Sequence, residues 1–212
     1  KANRTSANSF TGIGDETALS YLADIKEKFN IRVLTDIHSI EEAYLASKYV
    51  DILQIPAFLC RQTELLQAAA KTGKTVNIKK GQFLAPEDMG KAAEKVKLEG
   101  NNNIWLTERG TFFRYHNLVV DFRSLIIMKE FGYPVIYDAT HSVQLPSKSE
   151  VSSGQPQFIL PLARAAAAVG IDGLFFETHP EPAKAKSDSA SQLALNQAEE
   201  LIEQVLRILE RD

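Results

Sequence analysis

A chain of 212 residues, 44% of them hydrophobic, is long enough to bury a full core. Its 24 Lys and Arg against 27 Asp and Glu leave a net charge of −3 with no block of either sign, which argues against a nucleic-acid-binding surface. The lone cysteine, Cys60, excludes a disulfide scaffold and fits a reducing cytoplasm, and no apolar run approaches the ~18 residues of a membrane helix.

Residues 1–14, rich in Ser, Thr, Asn and Gly, read as a loop. Asp15–Phe29 reads as a helix with Ala18, Leu19, Leu22, Ile25 and Phe29 along one face. Short β-branched runs then alternate with amphipathic stretches. Strands are expected at 31–38, 52–57, 75–80, 104–109, 134–141 and 173–179, and further helices at 40–49, 61–71, 86–99, 120–131, 158–169 and 191–209. Pro86 followed by Glu87 and Asp88 suits the opening turn of a helix. The Ser/Gly/Pro-rich stretch 146–157 is long for a connection and borders a strand end, the pattern of a lid or binding loop.

Strands alternating with helices imply βα units on a parallel sheet, an α/β fold. A (β/α)8 barrel takes about 250 residues, whereas six strands are legible and the chain opens at Lys1 rather than Met. The expectation is a single barrel domain over 1–212 that is N-terminally incomplete, its first strand or strands preceding this sequence. A six-stranded open α/β sheet is the alternative.

Each expected strand ends in ionisable or amide side chains, where a barrel gathers its chemistry. Lys1, Arg4, Arg61, Lys79, Lys80 and Arg109 all fall at or just after such ends. Arg binds carboxylate and phosphate oxygens bidentately and Lys adds a compact charge, so the set points to an anionic substrate, phosphate above all. Asp36, His38, Asp138, His141, Glu177, His179 and Asp188 form a second set whose imidazole and carboxylate donors suit Zn, Fe or Mn. A lone strand-end His is more often a hydrogen-bonded structural residue, and no HExxH or paired cysteines are present, so metal binding stays open on spacing alone. Lys79 also suits a Schiff-base aldolase, although a second Lys beside it favours charge pairing. Cys60 reads as a small buried hydrophobe. Trp105 and the Phe175–Phe176 pair are expected in the core. No GxGxxG follows a strand, and neither GxSxG nor a Walker loop occurs.

Taken together, the motifs resemble the 3-deoxy-D-manno-octulosonate-8-phosphate synthase family. They run KANRTS (1–6), TDIH (35–38), QIPAFLCRQT (54–63), NIKKGQF (77–83), TERG (107–110), NLVVDFRS (117–124), DATHSVQLP (138–146) and ETHPEPAKAKSD (177–188). The resemblance implies a (β/α)8 barrel assembled as a homotetramer that condenses phosphoenolpyruvate with D-arabinose 5-phosphate and releases phosphate. The related heptulosonate synthases, which take erythrose 4-phosphate, usually carry KPRT where this chain has Lys1-Ala2-Asn3-Arg4, so they rank second. A non-catalytic sugar-phosphate-binding barrel ranks third.

The resemblance further implies that Lys1, Lys79 and Arg109 hold phosphoenolpyruvate, with Gln54, Ala57 and Phe58 shaping its pocket. Asn3, Arg4 and Ser6 receive the sugar phosphate, Asp36 contacts the sugar, and Arg61 reaches a neighbouring subunit's site. Lys79, Asn3, Asp36 and His141 are the implied catalytic residues. His141, Glu177 and Asp188 match three of four ligands of the family's metal-dependent branch, the fourth being a Cys expected before residue 1. Ser187-Asp188-Ser189-Ala190-Ser191-Gln192 is similar to that branch rather than to the CDGP version. Phe113-Arg114-Tyr115-His116 departs from the FGY-Asn/Asp pattern common among relatives.

Overall fold

The computed structural model describes residues 10–146 and 153–210. Six parallel strands form its main sheet: β1 Leu34–Asp36, β2 Ile52–Ile55, β3 Thr75–Lys79, β4 Ile104–Glu108, β5 Val135–Asp138 and β6 Gly173–Phe175. Their order in the sheet is their order in the chain. Right-handed crossovers then place every connecting helix on the same face. A sheet wrapped on one face only must curl around the other, which is the winding of a (β/α)8 barrel. An open doubly wound sheet requires a reversal of strand order and is set aside.

The helices are α1 Asp15–Phe29, α2 Ile40–Ala46, α3 Thr63–Lys71, α4 Met89–Lys97, α5 Arg123–Lys129, α6 Ile159–Val169 and α7 Ala198–Leu209. Their ends follow local chemistry. Asp15 and Glu16 lie in the first turn of α1 and Lys26 and Lys28 in its last, which suits the helix dipole, and Asn30 stops it in the left-handed conformation at φ 50°. Ser39 opens α2 by accepting from the Glu42 amide, while the Glu42 carboxylate accepts from the His38 amide, a reciprocal cap.

Strand alternation separates two environments. Leu53 and Ile55, Val76 and Ile78, Ile104 and Leu106, and Val135 and Tyr137 face the helices and belong to the apolar core. The intervening residues line the inner face of the curl. At about 25 cal/mol per Å2 of apolar surface, the helix-side layer supplies the main drive to fold. The inner face is left free to be polar.

The structure departs from the sequence reading at the turns after strands. The expected helix 61–71 begins only at Thr63, after a 3-10 turn at Ala57–Leu59, and Pro86–Asp88 forms a 3-10 turn ahead of α4. Residues 111–119 form an antiparallel hairpin, Thr111–Arg114 with Asn117–Val119, turning at Tyr115 and His116, the latter at φ 55°. The expected C-terminal helix starts at 198 rather than 191, because Leu193–Ala194 pairs with Thr178–His179. Gln144–Leu145 pairs with Ser153–Gly154 across the long loop. Trp105, Phe175 and Phe176 are all only partly buried; Phe176 packs against the core cluster, and the other two do not. Trp105 and Phe175 share the inner face, Trp105 in register with Asn77 and Phe175 with Asp138.

Candidate active site

Register gathers the polar residues. Asp36 is level with Gln54 and Gln54 with Asn77, while Lys79 is level with Thr107. Two residues past Thr107 on the same face comes Arg109. These inner-face groups form a directional ladder: the Thr107 hydroxyl donates to Asn77 Oδ1 (2.7 Å), Asn77 Nδ2 donates to Gln54 Oε1 (2.8 Å), and Gln54 Nε2 donates to the Asp36 carboxylate. Each amide is thereby fixed in one orientation, and Asp36 is held as an acceptor at the end of the chain.

Lys79 Nζ lies 2.8 Å from Asp138 Oδ2 and 4.0 Å from the centre of the Phe175 ring. Arg109 is 5% exposed; its Nη2 donates to Gln144 Oε1 at 3.0 Å, and its buried Nη1 has no hydrogen-bond partner among the described residues. A buried guanidinium N–H without an acceptor costs free energy, and an anionic ligand oxygen would satisfy it. Burial pulls the Arg109 pKa down, opposed by the charges of Asp138, Asp188 and Glu108. The neighbouring Lys80 is no part of this set. Strand alternation turns it to the helix side, where it is fully buried against Glu108 Oε1 (3.5 Å), Thr111 Oγ1 (2.8 Å) and the Leu84 and Gly110 carbonyls. Burial raises the Glu108 carboxyl, against the pull of Lys80.

At the other end of the sheet, ligand atoms of His141, Glu177 and Asp188 lie within 4.8 Å of one another. Bonds of about 2.0–2.2 Å span at most ~4.4 Å across one ion, so small side-chain shifts close the set. His141 Nδ1 lies 2.8 Å from Asp138 Oδ2, which makes Nδ1 the proton-bearing nitrogen and leaves Nε2, 3.6 Å from Glu177 Oε1, as the donor toward a cation. Burial works to raise the Asp138 carboxyl, yet His141 and Lys79 outweigh it and hold that carboxyl well below the ordinary range. Burial raises Glu177, against the attraction of His141. A bound cation would relieve that burial penalty. Thr140 Oγ1 accepts from the Glu177 amide, and Gln192 Nε2 donates to Glu177 Oε2 at 3.2 Å.

The seven candidate ligands thus reduce to three. Asp36 ends β1 and His38 follows it, at the opposite edge of the main sheet from β6. His38 Nδ1 sits 3.5 Å from Glu42. His179 Nδ1 accepts from the Glu181 amide, and Asp138 stands behind His141. Gln54 and Ala57 are buried, whereas Phe58 and Arg61 are exposed. Cys60 is buried, and burial raises its thiol. Lys1, Asn3, Arg4 and Ser6 lie outside the described residues.

The sequence profile of the DAHP synthetase I family matches residues 1–210. The chain belongs to the DAHP synthetase I family. Similar proteins include one from Koribacter versatilis, 56% identical over an alignment of 214 positions that covers 99% of this chain and 77% of the relative. Another, from Syntrophotalea carbinolica, is 53% identical over 209 residues, 98% of this chain and 76% of the relative. A third, from Bartonella bacilliformis, is 55% identical over 204 residues, 96% and 72% of the two chains. All three are named 2-dehydro-3-deoxyphosphooctonate aldolase.

In this DAHP synthetase I family chain the sequence reading overlooked two residues of the site. Phe175 shares the inner face with Asp138, and period-two counting back from Glu177 would have placed it there. Gln144 lies three residues past His141, on the far side of one 3-10 turn, His141–Val143. That spacing signalled proximity to His141 but nothing about Arg109 or Asp188.

Proposed function

We propose that the chain catalyses condensation of phosphoenolpyruvate with D-arabinose 5-phosphate and water, giving 3-deoxy-D-manno-octulosonate 8-phosphate and inorganic phosphate. The observation that carries this reading is the shared name of relatives 53–56% identical over nearly the whole chain. Arg109, with its unpartnered N–H, and Lys79 hold phosphoenolpyruvate together with Lys1, in a pocket shaped by Gln54, Ala57 and Phe58. Asn3, Arg4 and Ser6 take the sugar phosphate, and Asp36 accepts from a sugar hydroxyl.

The enol carbon forms the new C–C bond by attacking the sugar aldehyde, whose oxygen gains a proton. Water adds at the neighbouring carbon, which develops positive character; one of its protons balances the one taken up by the aldehyde oxygen, the other leaves with phosphate as the C–O bond breaks, and the water oxygen becomes the product's carbonyl. Fixing both substrates in attack geometry supplies as much as about 7–11 kcal/mol in favourable cases. The Lys79 ammonium, steadied by Asp138 and the Phe175 ring, balances charge on the departing phosphate. His141, Glu177 and Asp188 would hold a divalent Zn, Fe or Mn ion, with Asp138 fixing the imidazole tautomer. When bound, such an ion supplies Lewis-acid polarisation of a substrate or water oxygen. The enzyme works in the cytoplasm as a homotetramer of single-barrel subunits, with the exposed Arg61 reaching a neighbour's sugar-phosphate site.

The family description itself names the heptulosonate chemistry, so the acceptor is the point to test. Phosphate release from phosphoenolpyruvate is expected with arabinose 5-phosphate. Release only with erythrose 4-phosphate would transfer the assignment to a heptulosonate synthase. Release with neither, in metal-loaded full-length protein, would point to a sugar-phosphate-binding barrel.

A further inference from the structure

Besides Asp138, which touches both Lys79 and His141, a second side chain joins the two halves of the site. Gln144 is buried, Arg109 Nη2 donates to its Oε1 at 3.0 Å, and its Nε2 donates to Asp188 Oδ1 at 2.6 Å. The bonds span 35 and 44 residues of chain, so the meeting is made by the fold rather than by neighbouring sequence. The polarity of the link admits no ambiguity. Arg offers only donors and a carboxylate only acceptors, so the atom facing Arg109 is the amide oxygen and the atom facing Asp188 the amide nitrogen. An amide alone satisfies both at once: Glu would set a like charge against Asp188, Lys would set one against Arg109, and an aliphatic side chain would take a bond from the buried Arg109 and another from the half-buried Asp188.

We propose that Gln144 is a positioning residue that couples anion binding at Arg109 to cation binding at His141, Glu177 and Asp188. The inference rests on the reading above that Arg109 holds an anion and the triad a metal. An anion seated on the free Nη1 of Arg109 fixes the guanidinium. The fixed guanidinium orders the Gln144 amide, and the ordered amide presents the Asp188 carboxylate to the triad. Whatever one site gains from the other is returned, because coupling between two binding equilibria is reciprocal. The backbone favours a short linkage as well, since Gln144 directly follows the 3-10 turn that begins with His141.

The test uses the full-length enzyme stripped of metal, with Co2+ as the metal probe, read by its visible absorption, and phosphoenolpyruvate binding read by calorimetry. In the wild type, saturating phosphoenolpyruvate is expected to tighten Co2+ by about fivefold or more, and Co2+ to tighten phosphoenolpyruvate by the same factor. In Gln144→Leu, a similar-volume replacement lacking both bonds, each ligand still binds alone but the factor drops by about twofold or more, and what coupling is left runs through Asp138 between Lys79 and His141. Gln144→Glu keeps an acceptor for Arg109 but neutralises it, so metal-free phosphoenolpyruvate affinity falls further than in Gln144→Leu. A residue needed only for packing would not produce that order. The coupling is overturned if the wild type binds both ligands independently, or if Gln144→Leu keeps the wild-type factor. If the wild type binds Co2+ or phosphoenolpyruvate not at all, the underlying assignment of the sites fails, and the coupling with it.

Discussion

Asp138 serves two partners with one oxygen: Lys79 Nζ and His141 Nδ1 each lie 2.8 Å from its Oδ2. Its other oxygen accepts from the Thr140 and His141 amides at 3.1 and 2.9 Å, so the strand end is locked. Four such contacts explain how a fully buried carboxylate stays ionised despite its loss of water. Asp138→Asn keeps the shape but presents a neutral amide that can turn its donor to Nδ1. The imidazole then loses its fixed tautomer. Metal affinity is expected to fall about 10–100-fold, measured by metal titration, with phosphoenolpyruvate binding also altered through Lys79. Unchanged affinity for both would remove Asp138 from the site's support.

The loop that carries Asp188 is held by its neighbours, and Gly154 marks the tightest point. A Cβ there would lie 2.6 Å from the Ala190 carbonyl oxygen and 2.7 Å from Ser191 Cβ. Backbone cannot yield as a side-chain tip does, so Gly154→Ala has to push the 188–191 turn away from the triad. The expected result is a loss of about tenfold or more in metal affinity, with little change in the thermal unfolding midpoint because the sheet core is untouched. A metal titration beside a melting curve separates the two. On the opposite side of the molecule, Asp51 ties α1 to the chain entering β1. It accepts from Lys26 Nζ at 2.6 Å and from the Val33 amide at 3.0 Å. Partial burial works to raise its carboxyl, but the Lys26 and Val33 bonds prevail and lower it. A carboxylate with a lowered folded-state pKa stabilises the fold above its unfolded value, ~3.9, and that contribution fades as pH falls through the folded value. The pair is partly exposed, so Asp51→Asn is expected to cost less than about 1 kcal/mol at neutral pH. The two proteins should converge in stability in acid, by denaturant melts across the pH range. A constant gap would mean that the charge contributes nothing.

Across the whole molecule, stability and chemistry are laid out in different places. Strands β2 and β3 are buried along their entire length and β4 and β5 nearly so, whereas β1 and β6 at the two edges of the described sheet are only half-buried. Amides of β2–β5 should therefore exchange with solvent most slowly and those of β1 and β6 faster, by hydrogen-exchange mass spectrometry or NMR on this chain. Uniform protection across the six strands would contradict that gradient. The division has a functional side. The proposed anion clamp draws on β3 and β4, from the slowly opening centre, while Glu177 and Asp188 of the candidate metal triad follow β6 and ride on loops.

The alternation of β-branched runs with amphipathic stretches was enough to specify βα units, because side-chain periodicity is set by local backbone geometry. It placed α1 to the residue and every strand of the main sheet within its expected window. The motif at 138–146 likewise carried His141 as one of seven candidate cation ligands, with metal binding left open by spacing alone. Local pattern was silent on which strand ends meet. His38 and His141 are both strand-end histidines, yet one rests beside Glu42 and the other joins the triad. Lys79 and Lys80 are adjacent, yet one faces the inner surface and the other is sealed against Glu108. The short hairpin at 111–119 and the pairing at 178–194 escaped because strands of two to four residues have too few side chains to show a period. The Gln144 bridge escaped because its partners lie 35 and 44 residues away. Composition at the strand ends thus determined what kind of chemistry is available. Sheet order, register and the return path of the loops decided which groups come within bonding distance, since a bond of about 3 Å depends on packing across the whole sheet.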